Sequence, residues 1–217
     1  MIKENPLQRY PRINRGDLRQ FDGIMSLGIQ DEDYIGDLEA VGLPVVVADY
    51  WPVLSGVDAV SVDGRRAGAM AAEILYDKRH EYLAFIGHGR GNPTHGEFYK
   101  DTDAVAMEDG IRLMAGMRGF SRFAVFYPKS GAREATLTDF ITDMLSRKER
   151  PTGIIRAGVG AARDILTTAQ RIGLNCPRDF SLITMTVVED QTDIEKFARL
   201  TFALREMGEI VVELQIS

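Results

Sequence analysis

Cysteine occurs once in the 217 residues, at Cys176, so no disulfide can form within the chain and nothing asks for an oxidising compartment. Long hydrophobic runs are missing too. LPVVVA is strand-length, far short of the roughly 20 apolar residues that cross a bilayer. The N-terminal stretch MIKENPLQRYPRINRGDLRQF has no apolar core of a secretory signal, so a cytoplasmic protein with no membrane partner is expected. Positive charge is not in excess: 26 Lys and Arg face 32 Asp and Glu, a net charge of −6, which leaves no basic face to grip nucleic acid. Histidine is sparse. His80, His88 and His95 lack helical metal-ligand spacing; the last two share a loop with Glu97 and Asp101, but a structural zinc takes four ligands and no second cluster exists, so no metal is expected. No G-x-S-x-G elbow occurs, which removes the commonest serine-hydrolase pattern.

What is present is an ordinary globular composition, 45% hydrophobic and 27% charged, in a chain long enough for a sizeable core. Strand and helix patterns alternate, which predicts an α/β fold of parallel sheets flanked by helices. Strands are expected in FDGIMSLG, in the β-branched run LPVVVADY, in VDAVSVDG, YLAFIG, RFAVFYP, PTGIIRAG, PRDFSLITMTV and RLTFAL. Helices are expected in DEDYIGDLEAVG, RRAGAMAAEILYDKR, DAVAMEDGIRLMAG, EATLTDFITDMLSRK, AARDILTTAQRIGL and REMGEIVVELQI, with Gly42 and Gly173 placed to stop two of them. The loop HGRGNPTHGEFYKDT (88–102) reads as irregular and as the crossover between two lobes.

Two glycine clusters invite a cofactor. GIIRAGVGAARDIL runs strand, turn, helix, but a dinucleotide fingerprint needs a third small residue where Arg163 stands. The acidic residue due about 20 positions further on would be Asp179, which precedes a strand instead of ending one. GHGRGNPTHG lacks the G-K-[ST] of a phosphate loop. No cofactor is expected. Tyr50 and Trp51 follow a buried strand, where open α/β sheets bind ligands, so Trp51 is either a pocket wall, a dimer contact or a packing residue.

The order of these segments resembles the effector-binding domain of LacI/GalR transcription regulators, which have the type I periplasmic-binding-protein fold. FDGIMSLG is similar to the family's "VDGIIL", VGLPVVVADY to "G-x-PVV-x-D", and VDAVSVDGRRAGAMAAEIL to "V-x-x-D-x-x-x-G-x-x-A-x-x-x-L". KRHEYLAFIG is similar to "GHR-x-IAFIG", PTGIIRAG with RIGLNCPRDFSLIT to "PTAIFAAND…LGL-x-VPEDVSVIGFDD", and LTFALREMGEIVVELQI to "LTTV…MG-x-x-A-x-x-LL". The resemblance implies a domain without enzymatic activity that binds a small molecule between two lobes, forms a homodimer, and acts on DNA only through a DNA-binding domain absent from this sequence. It implies an N-terminal lobe of residues 1–88 plus 203–217 and a C-terminal lobe of 89–202. The first lobe is expected to be incomplete, since the family's first strands have no counterpart before Phe21.

The resemblance also implies where the ligand sits. Met107 stands where the family has the arginine of "R-x-x-GF", Gly158 and Val159 stand for Asn-Asp, and Thr186 stands for an aspartate of "GFDD". With Trp51 and His88 these form the expected site. Three polar anchors are thus replaced, so the expected ligand is a sugar or, because hydroxyl-rich ligands need charged or bidentate partners, a less polar metabolite. A stand-alone binding or interaction protein with a degenerate pocket, and a nucleotide-dependent enzyme using Gly158–Arg163, remain as alternatives.

Overall fold

A computed structural model describes residues 15–18, 20–29, 31–53, 56–87, 89–91, 98–100, 102–120, 122–127, 134–157, 160–186, 198–201 and 204–216. In chain order the elements are α1 (Arg15–Leu18), β1 (Ile24–Leu27), α2 (Glu32–Glu39), β2 (Val45–Ala48), β3 (Asp58–Val60), α3 (Gly64–Asp77) and β4 (Tyr82–Ile86). Then follow β5 (Gly89–Gly91), β6 (Phe98–Lys100), α4 (Thr102–Arg118), β7 (Arg122–Phe126), α5 (Glu134–Ser146), β8 (Gly153–Ala157), α6 (Gly160–Arg171), β9 (Ser181–Thr186), β10 (Ala198–Thr201) and α7 (Leu204–Ile216). They gather into two compact units.

The first unit holds α1 to β3 and α7. Its parallel sheet has the order β1-β2-β3, with Met25 opposite Val46 and Val47 opposite Ala59. Every residue of the central β2 is buried, as the unbroken run VVVA requires of a strand covered on both faces. Val45 and Val47 pack with Ile35 and Leu38 of α2 and with Tyr50. Val46 and Ala48 point the other way and meet Val211 of α7. The entry of α2 is set by Asp31, whose carboxylate accepts the Tyr34 N–H at 3.0 Å, while Glu32 and Asp33 suit the positive end of the helix. Gly42, at φ +82°, ends the turn that follows, as its position predicts.

The second unit is a three-layer sandwich. Five parallel strands run in the order β10-β9-β8-β4-β7. One face carries Leu83, Phe85, Ile155, Ala157, Ile183 and Met185 against α3 and α4. The other carries Ala84, Ile86, Ile154 and Leu182 against Ile141 and Leu145 of α5 and Ile165 and Ala169 of α6. This alternation along each strand is the period-two rule applied to a sheet covered on both sides.

Two expectations are corrected here. The chain divides after Val62, not at 88: α3 and β4 belong to the second unit. The reason is pairing, since β4 lies between β8 and β7 and its buried YLAFI face cannot be satisfied elsewhere. The loop read as wholly irregular also contains order, because β5 and β6 pair antiparallel, with Arg90 opposite Tyr99. Three-residue strands carry too little alternation to be seen in sequence.

Helices α3 and α4 meet at glycine. A Cβ on Gly68 would stand 2.1 Å from the Met107 carbonyl oxygen, and one on Gly110 would stand 1.9 Å from that of Arg65. The two backbones therefore touch, with Ala67, Ala71 and Ala72 filling the remaining seam of α3.

At the amino end of this sheet His80 is held by two hydroxyls, Thr152 Oγ1 at Nδ1 and Ser181 Oγ at Nε2, both at 2.9 Å. Burial, then the neighbouring Lys78 charge, hold its pKa below the usual histidine value. The unfolded chain therefore binds more protons than the folded one as pH falls through the ordinary value of 6.5 toward the folded value. Stability should be undiminished above that range and decline through it. Thermal midpoints measured from pH 7.5 to 5 should fall more steeply for the wild type than for His80→Gln, which cannot titrate.

Candidate functional site

Because the strands of the five-stranded sheet all run parallel, their carboxyl ends share one edge, the edge at which open α/β sheets bind ligands. Thr186 is the last residue of β9 and pairs with Thr201 of β10 at that edge. Tyr127 follows β7 directly. Its hydroxyl donates to the Ala104 carbonyl at 3.1 Å and its ring meets Phe85 edge-on, with centroids 6.1 Å apart. A Cβ on Gly87 would lie 2.3 Å from the Tyr127 ring, so the absent side chain lets tyrosine close over the end of β4. Burial, followed by a hydrogen bond with Glu108 and the negative charges of Glu108 and Asp109, keeps the phenol protonated far above its ordinary range. Glu108 is itself buried and takes both Nε and Nη2 of Arg112 on one carboxylate oxygen, at 2.7 and 2.6 Å.

Arg156 is the most distinctive group of the edge. It lies on β8 in register with Ile86 of β4 and Thr184 of β9, and is only 4% exposed. Its Nη1 donates to the carbonyls of Ile86 at 2.8 Å and Gly87 at 2.6 Å. Burial lowers its pKa to about 10, against a weaker opposing pull from Asp164, so it stays charged at neutral pH. In sequence, Arg156 is one letter of the apolar strand GIIRA. The available signal was a charge inside a run that must be covered on both faces.

Met107 is 4% exposed and packs in the core with Ala67, Phe85 and Met185, its backbone against Gly68. It performs a packing task. Trp51 belongs to the first unit and is 63% exposed. Its loop is fixed by one carboxylate oxygen of Glu32, which accepts the Tyr50 hydroxyl at 2.6 Å and the Val53 N–H at 2.7 Å. His88, Gly158 and Val159 lie outside the described residues. Among the described residues no cluster of three or more His, Cys, Asp or Glu is arranged to hold a metal ion, and no helix is long and apolar enough to cross a membrane.

Parallel sheets with helices on both faces, in two units that the chain enters, leaves and re-enters, define a periplasmic-binding-protein-like fold. The profile of the periplasmic binding protein-like domain family matches residues 72–217, and the chain belongs to that family. It is 26% identical over 196 residues to catabolite control protein A of Priestia megaterium, covering 88% of this chain and 55% of that protein. The chain thus spans little more than half the length of this relative. Among solved structures, the transcription regulator CcpA of Lactococcus lactis superposes with a TM-score of 0.73 at 18% identity, over 93% of this chain and 72% of that one. A LacI family transcriptional regulator from Enterococcus faecium with bound ribose superposes with a TM-score of 0.70 at 19% identity, over 91% and 71%.

Proposed function

We propose that this chain is the ligand-sensing and dimerising part of a cytoplasmic LacI-type transcription regulator, without enzymatic activity of its own. The observation that carries this reading is the five-stranded parallel sheet whose carboxyl ends form one edge, in a chain similar to regulators of which one holds ribose. DNA contact falls to a DNA-binding domain of the full-length protein, and the effector is a small molecule whose binding shifts the population of two conformations. Thermal-shift and calorimetric titration with ribose, other monosaccharides and nucleosides tests it. A saturating ligand present at about 100 times its Kd stabilises the folded state by about 2.7 kcal/mol, a readily measured rise in melting point. A chain that responds to no small molecule would refute a sensing role.

One observation favours a second reading. Met107 is committed to the core where the resemblance puts an arginine anchor, which fits an interaction protein whose pocket has decayed. Sedimentation showing a dimer, joined to silence in every ligand titration, would support that reading over the first.

A further inference from the structure

Arg156 is a positive charge built into the interior of a parallel sheet. Its two carbonyl partners, Ile86 and Gly87, are neutral dipoles that orient the guanidinium without neutralising it. Its Nε is buried and has no hydrogen-bond partner. Among the described residues no carboxylate forms an ion pair with it, and Asp164 of α6 attracts it only from beyond that distance. An uncompensated buried cation and an orphaned N–H are each strongly unfavourable. An oxyanion bound against the guanidinium supplies the missing counter-charge.

The location suits such a ligand. Gly87 is the first residue past β4, and Arg156 lies one residue before the end of β8, so the guanidinium sits where the two strands finish. The 12-residue α6 begins three residues after β8 and has no acidic residue in its first turn. Its amino end, the positive pole of the helix, therefore lies at the same edge with no carboxylate in its own first turn.

We propose that Arg156 and the amino end of α6 form an oxyanion subsite, and that the effector of this domain carries a carboxylate or a phosphate. The proposal rests on the small-molecule-sensing reading above and names the class of ligand. The altered anchors implied by the family resemblance then signal a change of ligand charge rather than a less polar ligand. The competing role for Arg156 is a structural tie between β8 and the carbonyls of β4.

The test is thermal denaturation of the 217-residue chain in inorganic phosphate, in succinate, in ribose, and in sodium chloride at matched ionic strength. The expected result is a saturable rise in melting point with phosphate or succinate that chloride does not reproduce. Response to phosphate alone identifies a phosphate-bearing ligand, and response to succinate alone a carboxylate. Arg156→Met should weaken the apparent affinity for the effective anion at least ten-fold. Without anion it should melt no lower than wild type, because an unpaired buried charge has gone; a structural tie would melt lower. Arg156→Lys, which keeps the charge and loses the fork, should respond more weakly than wild type and more strongly than Arg156→Met. Anion response that persists in Arg156→Met overturns the proposal, as does wild-type chain that neither oxyanion stabilises beyond chloride. In the latter case, a rise with ribose would leave the sensing role standing and remove only the anionic subsite.

Discussion

Replacing Phe85 by alanine should destabilise the second unit by about 3–5 kcal/mol, the usual range for emptying a fully buried aromatic site. Phe85 is 0% exposed on β4, the strand between β8 and β7, and packs with residues from α3, α4, β8 and β9. Little can collapse into the space. The flanking strands are pinned by their ladders, and the helices above are held apart from the sheet by other side chains. Tyr127 loses its edge-on partner as well, a contribution of about 0.5–1.5 kcal/mol beyond simple burial. Urea titration should show a lower midpoint at unchanged slope. A midpoint within experimental error of wild type would mean that β4 is not the heart of this core.

Gly110→Ala should also destabilise the fold, by less and for the opposite reason. The added methyl would stand 1.9 Å from the Arg65 carbonyl oxygen and 2.9 Å from the Ala69 nitrogen. Both are backbone atoms of a helix, so no rotamer change relieves the clash and α3 and α4 must separate. Forcing extra volume into a packed seam of this kind costs about 1–3 kcal/mol and sometimes more. Helix propensity works in the other direction, favouring alanine by roughly 0.8–1.0 kcal/mol over glycine. A net loss would show that packing wins over propensity; a net gain in melting point would contradict the close approach of the two helices. Gly116, on the same helix with open space around its Cβ position, provides the control, and Gly116→Ala should be neutral or stabilising.

These two substitutions also mark what could be read from sequence. The strands VVVA and YLAFI and the amphipathic helices announced themselves through periodicity and length, because a parallel sheet covered on both faces leaves few other patterns. The partition of those elements between units did not. Nothing local in YLAFIG says that it pairs with RFAVF and GIIRA, since pairing is decided by long-range contacts. Gly110 could be aligned with a family glycine but not explained, because its neighbour is a backbone 45 residues earlier, at Arg65. Met107 shares the α3–α4 seam, and its burial there is set by the backbone of Gly68, a contact between helices that no local pattern announces. Arg156 was visible as a letter and not as a charge without a partner. Burial and missing counter-charge are properties of the folded chain.

The carboxylate of Glu32, clamping Tyr50 and Val53 around an exposed indole, has a practical consequence. Trp51 is the sole tryptophan, so fluorescence excited at the indole band reports from a single residue of the first unit. Circular dichroism reports on both units at once. If the emission and ellipticity curves coincide on heating, the units melt together; if emission changes first, the smaller sheet yields while the five-stranded one persists. The chain thus carries its own spectroscopic label for asking whether its halves are thermodynamically one object or two.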